Sequence, residues 1–440
     1  MRLIEKIRWY RREHGIRALI VRGVEVLVRA KPLKSATEVN WLPARVQQYI
    51  GAGDGGAKFT SDLIDSRFPA IRPLPVYTAP GPKIRLNLVT DSINEGSLFG
   101  GVGTAILMAA VLANKRGAVL RIVTRTQAAA ANGFSQVLEC GGIQFKGNVE
   151  FAFVDVNDQS AQLDICDGDR FLTTSWWTTL SVLGSISPHK VDYLLQEDER
   201  MFYPHGDEWL RCNEVMMRKD IRFMINTELL FDHLVATGLT HLEKNARWFE
   251  PAFPSSIYFK NAGYAERPKY RLFFYARPNN YRNLFYRGIE VLDKAVAKNI
   301  INPDEWEIIL VGKDVPKVIL AGTLEPEIIP TMEWSEYGKF IRDIDLGFCL
   351  MATPHPSYPP LDLAASGAIV LTNKFGLKQD LSMYSENILL SDLDVNELVE
   401  GLQMGVARVS DAGLRTKRYA ENRMARSWSE SLAAAVDFLG

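Results

Sequence analysis

A strand, a loop and a helix that follow one another at residues 271–292 constrain this chain most strongly. The segment reads as an apolar strand from Leu272 to Ala276, a loop that holds Arg277 and Arg282, and a helix that begins near Asn283. Helix starts favour anions, and ligands of open α/β sheets lie outside the carboxyl ends of the strands. Guanidinium groups suit phosphate oxygens. The segment therefore predicts either an anion site or an ordinary βα loop with two surface arginines.

A second segment, residues 351–373, predicts a compact βαβ unit. An apolar strand from Leu346 to Met351 leads into a turn with four prolines, then a short helix that enters at Leu361 and stops at Gly367. Another strand follows directly. A rigid proline turn can start such a helix and a glycine can end it. The turn would offer backbone amides and one carboxylate, that of Asp362, to a ligand.

Together the two segments resemble the nucleotide-sugar half of retaining glycosyltransferases of family 4, which have the GT-B fold. The shared pattern is R-x4-R/K after a strand, then a helix similar to G-x-P-L-E-A-x-A-x-G-x-P-V. More narrowly, the chain resembles the WsaF-type rhamnosyltransferases, which use dTDP-rhamnose, in ARPNNYRN, HPSYPPLDLAASG and YLLQEDERMFYPHG. The resemblance covers roughly residues 84–440 and implies an α/β protein with two Rossmann-like domains that face each other across a cleft.

The resemblance also implies roles for particular residues. Arg277 and Arg282 are expected to stabilise the leaving diphosphate, and Asp362 matches the later of two family glutamates. The position of the earlier glutamate falls at Pro354, next to His355, which departs from the family pattern. Lys313 offers a further phosphate contact, although Asp314 could equally neutralise it. The expected donor-binding residues are Gly100, Gly101, Gly312, Lys313, Met332, Trp334, His355, Ser357, Tyr358, Pro359, Pro360, Leu361 and Asp362.

The glycine-rich segment GSLFGGVGTA, which follows the strand IRLNLVTDSI, resembles the first βα turn of a Rossmann-like domain. A nicotinamide dehydrogenase is the obvious rival. However, the spacing is G-G-x-G, and the next strand ends in Thr124 and Arg125 instead of a ribose-binding acid. The GT-B resemblance implies that Gly100 and Gly101 face the donor diphosphate. The alternative is that they are ordinary tight-turn glycines.

Two polar strand ends are candidates for the acceptor site. We expect Thr174, Ser175 and Trp176 to lie at the cleft lip, with Trp177 in the core. After the strand from Val191 to Gln196, a cluster of charged and aromatic residues has the composition of a carbohydrate site. In that cluster Asp198 is the first candidate for contacting the acceptor and Tyr203 the second. A solvated acidic loop is the alternative.

Overall composition excludes several functional classes. The 51 basic and 52 acidic residues are nearly balanced, so no global field indicates nucleic acid. Four cysteines without C-x-x-C spacing favour a reduced cytosolic setting and no structural zinc. No apolar run reaches the ~20 residues that cross a bilayer, and a signal-peptide core is absent. Two sets of loop residues superficially resemble D-x-D metal clusters: Asp155, Asn157 and Asp158, and Asp164, Asp167 and Asp169. Because the chain resembles metal-independent enzymes, we interpret them as turn and cap residues and expect no metal and no cofactor.

The 440 residues are enough for two or three domains. Residues 2–31 carry nine Lys/Arg and three Glu with apolar residues at helical intervals. Such a helix pair suits an anionic membrane surface, but it could equally dock on its own protein or on a partner subunit. We expect an arm and linker, an acceptor domain, a nucleotide-sugar domain and a helix that crosses back to the acceptor domain, at residues 1–83, 84–254, 255–420 and 421–440.

The predicted function is retaining transfer of L-rhamnose from dTDP-β-L-rhamnose to a glycan acceptor in surface-polysaccharide synthesis. The resemblance implies front-face attack, in which the leaving phosphate takes the proton of the acceptor. We expect the protein in the cytoplasm, either in solution or peripheral on the inner face of the membrane. One alternative is a transferase for a UDP- or GDP-linked sugar. Another is a noncatalytic module that binds nucleotide sugars. A Rossmann oxidoreductase is the most distant alternative.

Overall fold

The computed structural model describes residues 59–81, 83–94, 98–261, 267–330, 332 and 334–440. The basic segment at residues 2–31, for which we predicted a membrane or protein contact, lies outside the described residues. The chain divides into two compact units, Met1–Pro69 and Ala70–Gly440. In the first unit, the described residues form helix α1 (Thr60–Arg67).

The second unit contains a seven-stranded parallel sheet in the order β4-β3-β2-β6-β7-β8-β9. Its central strands are buried on both faces, as their runs of Val, Leu and Ile predict for a parallel sheet covered by helices. A small parallel pair, β1-β5, lies apart from it. The elements of this half are β1 (Val76–Thr78), β2 (Arg85–Thr90), α2 (Gly103–Arg116), β3 (Val119–Thr124), α3 (Ala131–Gly141), β4 (Val149–Phe153), β5 (Leu163–Ile165), β6 (Arg170–Thr173), α4 (Trp176–Leu183), β7 (Val191–Leu195), α5 (Asp207–Met216), β8 (Arg222–Asn226), α6 (Glu228–Ala236), α7 (Leu242–Asn245) and β9 (Ala246–Phe249).

A six-stranded parallel sheet in the order β12-β11-β10-β13-β14-β15 follows in the same unit. Phe274 of its strand β10 packs so closely on the next helix that a Cβ on Gly288 would lie 2.1 Å from the phenyl ring. The elements are β10 (Tyr270–Tyr275), α8 (Phe285–Ala297), β11 (Trp306–Val311), β12 (Glu327–Ile329), α9 (Trp334–Ile341), β13 (Leu346–Phe348), α10 (Tyr358–Ala365), β14 (Ile369–Asn373), β15 (Ile388–Ser391), α11 (Val395–Ser410), α12 (Ala412–Ala420), α13 (Trp428–Ser431) and α14 (Ala433–Leu439).

The last two helices, α13 and α14, pack on the seven-stranded sheet. Trp428, Leu432, Val436 and Leu439 are buried in one hydrophobic cluster with strand residues of that sheet such as Leu88. The chain thus crosses twice between the first half, which contains the seven-stranded sheet, and the second half, which contains the six-stranded sheet. The predicted fold class, α/β with two Rossmann-like sheets, is confirmed by this architecture. Among the described residues, no helix is both long and apolar enough to cross a membrane.

Candidate functional site

Side chains that follow strands of the two sheets meet between the two halves. Arg282 follows β10, and its Nη1 lies 2.9 Å from Oε2 of Glu197, which follows β7. The guanidinium also lies over the ring of Phe202, 4.3 Å from the centroid. Because ligands of parallel sheets bind outside the carboxyl ends of strands, this meeting point is the natural candidate site.

The arginine loop and the proline-rich turn converge there. The carbonyl oxygen of Arg282 accepts a hydrogen bond of 2.7 Å from the amide of Ala352, and Thr353 donates from its hydroxyl to Glu197. Arg282 sits in a 3₁₀ turn, Tyr281–Asn283, that directs its side chain toward the other half. Arg277 instead remains exposed, and its guanidinium lies 3.4 Å from the hydroxyl of Tyr275. The two predicted phosphate arginines are therefore not equivalent.

His355 is held as a neutral, buried hydrogen-bond donor. Its side chain is 4% exposed, and its Nδ1 accepts the amide hydrogen of Ser357 at 2.8 Å. Burial, together with the charges of Lys378 and Arg282, lowers the pKa of His355 to about 3. Since Nδ1 is the acceptor, the proton of the neutral ring is on Nε2. Within the described part of the chain, Nε2 has no hydrogen-bond partner.

Tyr358, the first residue of α10, joins the two halves through its hydroxyl. The oxygen lies 2.5 Å from Oγ1 of Thr104 and accepts a hydrogen bond of 2.9 Å from Nδ2 of Asn226. The glycine loop is tied to the same place, because Gln196 donates to the carbonyl of Gly101 at 2.7 Å. Gly100 has φ of +75°, which favours glycine there, and its α-carbon faces the Tyr358 ring.

Asp362, one turn into α10, is a buried carboxyl. Burial raises its pKa to about 7, although hydrogen bonding to Tyr258 and Tyr337 opposes the rise. Oδ2 lies 3.4 Å from the hydroxyl of Tyr337. At neutral pH the group is thus divided between its acid and carboxylate forms. Close by, Trp334 donates to the hydroxyl of Tyr258 at 3.1 Å.

The other predicted donor-binding residues lie at strand ends, against hydrophobic clusters and in helix α10. A Cβ on Gly312 would lie 1.5 Å from the carbonyl oxygen of Ala276, so the packing of adjacent strand ends demands glycine. Lys313 is exposed at the end of β11. Met332 packs against the second sheet's hydrophobic cluster and Trp334 against that of the first. In helix α10, Pro359 is partly exposed, whereas Pro360 and Leu361 are buried. Their roles in binding a donor stay predictions.

The acceptor candidates are held by contacts inside the first half. Ser175 caps α4 together with Thr178, and Thr174 donates to Thr90 at 3.1 Å. Trp176 is 3% exposed and donates to the hydroxyl of Tyr203 at 3.0 Å. We expected Trp176 at the cleft lip, but it is buried in the hydrophobic core of the first half. Trp177, which we expected in the core, is partly buried and packs against the same cluster.

The local helix geometry explains why Trp176 is more deeply buried than Trp177. Because the helix starts at Trp176, that ring falls over the sheet, and the next residue, about 100° further around, is partly exposed. The Nε1 of Trp177 donates to Asp91 at 3.0 Å.

Asp198 forms an ion pair with Arg200, within the first half. Arg200 donates to it from Nε at 2.8 Å and from Nη2 at 2.7 Å, and His233 lies 3.5 Å away. Although burial opposes the shift, the hydrogen bonds from Arg200 lower the pKa of Asp198. Its neighbour Glu197 points toward Arg282 instead. The carboxylate at the meeting point is thus one residue earlier than the one we selected.

Two charged residues of the site were not selected from the sequence, Glu197 and Lys378. Glu197 belongs to the charged cluster that we noticed, and the R in D-x-R at residues 198–200 is the signal that Asp198 is already paired. Lys378 is fully buried in the loop after β14, and its Nζ lies 3.5 Å from the carbonyl oxygen of Met351. Its position beyond a strand end of the second sheet is the signal that could have identified it.

The aspartates that resemble metal clusters form hydrogen bonds and ion pairs inside the first half. Asp155 accepts from the amide of Asn157 at 2.9 Å, and Asp169 accepts from Nε of Arg85 at 2.9 Å. Asp164 accepts from Arg85 and Arg121. Among the residues that the structure describes, no group of three or more His, Cys, Asp or Glu side chains is arranged to hold a metal ion.

Family models match most of both sheets. The WsaF N-terminal domain matches residues 85–227, and the WsaF C-terminal domain matches residues 270–403. A relative, the O-antigen biosynthesis protein RfbC of Myxococcus xanthus, is 29% identical over 279 residues, which are 63% of this chain and 20% of RfbC. The matched part therefore spans about a fifth of that relative's length.

Solved structures show the same architecture at low sequence identity. HepE of Anabaena, in complex with UDP and glucose, has a TM-score of 0.54 at 12% identity over 80% of this chain and 99% of HepE. WaaG, a glycosyltransferase involved in lipopolysaccharide biosynthesis, has a TM-score of 0.52 at 11% identity over 81% of this chain and 99% of WaaG. The two facing sheets thus have the GT-B fold, and with both of its domain models matched the chain belongs to the WsaF family.

Proposed function

We propose that this chain is a glycosyltransferase that moves a sugar from a nucleotide-sugar donor to a glycan acceptor in O-antigen or other surface-polysaccharide synthesis. The observation that carries the proposal is the convergence of Arg282 with the turn before α10, opposite polar groups of the other sheet. The family match supports it, as do the description of RfbC as an O-antigen biosynthesis protein and the nucleotide complexes of HepE.

The chemistry of this transfer needs fixed positive charge at one place. Breaking the bond between the anomeric carbon and the diphosphate puts negative charge on the leaving phosphate. A cation aimed at that phosphate interacts more strongly in the transition state than in the ground state, so it lowers the barrier. Arg282 is mostly enclosed, with a side chain 15% exposed, so solvent screens its charge only partly. Closure of the halves excludes the water that would hydrolyse the donor.

The proposed donor is dTDP-β-L-rhamnose, and the proposed outcome is retention by front-face attack without a metal ion. In this scheme the leaving phosphate accepts the proton of the acceptor hydroxyl. Asp362 lies one turn into α10 and is proposed to contact the nucleoside. The resemblance of the two sequence segments to WsaF-type rhamnosyltransferases supports this choice of donor. The proposed location is the cytoplasm.

Donor turnover by purified protein tests the proposal. We expect release of dTDP from dTDP-rhamnose with a polysaccharide acceptor, unchanged by EDTA, and less release of UDP or GDP from their sugars. Arg282→Ala should slow turnover about 10²- to 10³-fold, by analogy with removal of one oxyanion-hole donor. Arg287→Ala is the matched control, because Arg287 is an exposed arginine of α8 paired with Glu290 on the same helix. Equal turnover in the two variants would refute the assignment of Arg282.

A further inference from the structure

Lys378 is buried without an adequate partner. Its side chain is 0% exposed. Among the described residues, its hydrogen-bond acceptor is the carbonyl oxygen of Met351 at 3.5 Å, and it forms no ion pair with any of their carboxylates. Removing an ammonium group from water is unfavourable unless an anion compensates it. The position is therefore unfavourable unless something negative comes close to it.

The groups around Lys378 form a cluster of donors with too few acceptors. His355 presents its unpartnered Nε2–H within the described part of the chain, and Arg282 presents a guanidinium. Hydrogen bonds place the three groups on one short stretch: Nζ of Lys378 lies 3.5 Å from the carbonyl oxygen of Met351, and the amide of Ala352 donates to the carbonyl oxygen of Arg282 at 2.7 Å. The amide of His355 donates to the hydroxyl of Thr353 at 3.2 Å in the same turn. The charges of Lys378 and Arg282 also lower the pKa of His355. They follow three different strands of the second sheet, β14, β13 and β10. One anionic group could contact all three at the carboxyl edge of this sheet.

The anion that these donors face comes from the other sheet. Glu197 accepts from Arg282 at 2.9 Å and from Thr353, and its charge acts on Lys378. Two cations thus face one carboxylate, which leaves one positive charge uncompensated. The diphosphate of a nucleotide sugar carries two negative charges and several acceptor oxygens. It matches the donors in charge and in number of acceptors better than Glu197 does.

We propose that Lys378, His355 and Arg282 form one anion site for the diphosphate of the donor, and that Glu197 occupies this site in the empty protein. This inference rests on the proposed function. Binding of the donor exchanges the contact between Glu197 and Arg282 for phosphate contacts, so the carboxylate competes with the ligand. Lys378 contributes a charge–charge contact that no other lysine of the second sheet's described residues supplies from a fully buried position.

The pH dependence of binding separates this role from a structural one. Burial lowers the pKa of Lys378 to about 8, although Glu197 opposes the shift. Of the other groups that face it, Arg282 stays charged and His355 stays neutral across this pH range. The variant Glu197→Gln removes the remaining titratable group. A lysine that loses its proton as the pH rises through about 8 binds an anion less well above that pH. Donor affinity should fall correspondingly.

Calorimetric titration with dTDP-rhamnose between pH 7 and pH 9.5 is the test. We expect the wild type to lose affinity above about pH 8, Lys378→Arg to keep its affinity across the range, and Lys378→Met to bind about 10- to 100-fold more weakly at pH 7. Glu197→Gln should bind more tightly than the wild type. Glu250→Gln is the matched control, because Glu250 also accepts across the two halves, from Tyr384 at 2.6 Å, but belongs to another contact.

The outcomes separate this inference from the function on which it rests. If the wild type binds no nucleotide sugar, both the proposed function and this site are wrong. If the wild type binds but Lys378→Met binds equally well at every pH, or Lys378→Arg follows the wild-type pH profile, only the site is wrong. Weaker binding by Glu197→Gln would show that Glu197 positions Arg282 and does not compete. Thermal unfolding of each variant checks that it is folded.

Discussion

Substitution of Tyr358 by phenylalanine should loosen the closed cleft without weakening either half. The change removes one oxygen that lies 2.5 Å from the Thr104 hydroxyl and 2.9 Å from Nδ2 of Asn226. Thr104 keeps its hydrogen bond to the carbonyl of Gly100 at 3.1 Å. Each lost hydrogen bond is worth roughly 0.5–1.5 kcal/mol net, so the pair amounts to about 1–3 kcal/mol. The loss falls on the contact between the halves, because both partners lie on the first.

Hydrogen exchange measures this free energy directly. Opening of the cleft should expose the amides of Thr353, His355 and Ser357, which lie between the halves, and their exchange should be about 5- to 150-fold faster in Tyr358→Phe. Tyr203→Phe is the matched control, because it loses a hydrogen bond of 3.0 Å from Trp176 inside the first half. The control should leave exchange at residues 353–357 unchanged. Equal rates in Tyr358→Phe and the wild type would refute the role of Tyr358 in closure.

Two further substitutions test buried features of the fold. Burial raises the pKa of Glu199 to about 8, from a usual value near 4.5, so the folded protein holds a proton that the unfolded chain releases. The free energy of unfolding should therefore fall between about pH 5 and pH 8, and Glu199→Gln should remove this fall in denaturant titrations at both pH values. Gly312→Ala should lower the free energy of unfolding by roughly 1–3 kcal/mol, because its Cβ would overlap the carbonyl of Ala276. Gly206→Ala, with 3.9 Å of clearance, should show no such loss in thermal unfolding, and a similar loss in both would contradict the argument.

Local sequence patterns predicted the elements of residues 271–292 and 346–373 to within a few residues. The strand expected from Leu272 is observed as Tyr270–Tyr275. The helix expected from Leu361 instead begins at Tyr358. Its two prolines, which we assigned to the turn, occupy the second and third helical positions. Backbone N–H groups of a first helical turn have no partner inside the helix, so proline costs little there. The helix is therefore three residues longer at its start than expected. This extension includes Tyr358, whose hydroxyl contacts Thr104.

The candidate site was predictable only in part, because its contacts join distant parts of the chain. The loop that holds Arg282 could be read from strand and helix signals alone. Its partner Glu197 lies 85 positions away, and no local pattern specifies which carboxylate crosses the cleft. Asp198 is adjacent in sequence but points elsewhere because Arg200 pairs with it. The choice between neighbouring residues thus depends on side-chain direction, which tertiary contacts decide.

The way in which the two halves are joined makes exchange of Glu197 for a ligand physically reasonable. The two passages of the chain lie side by side, where Phe253 donates its amide to the carbonyl of Ala425 at 2.8 Å. The contacts around Arg282 are polar instead: Tyr281 donates to the carbonyl of Phe202 at 2.9 Å, and Glu197 pairs with Arg282. Polar contacts between halves can be replaced by water or by a ligand at small net cost, whereas the apolar packing of α13 and α14 on the first sheet cannot. If the halves opened about the two connecting segments at Phe253 and Ala425, Arg282 would separate from Glu197 and both sheets would stay intact.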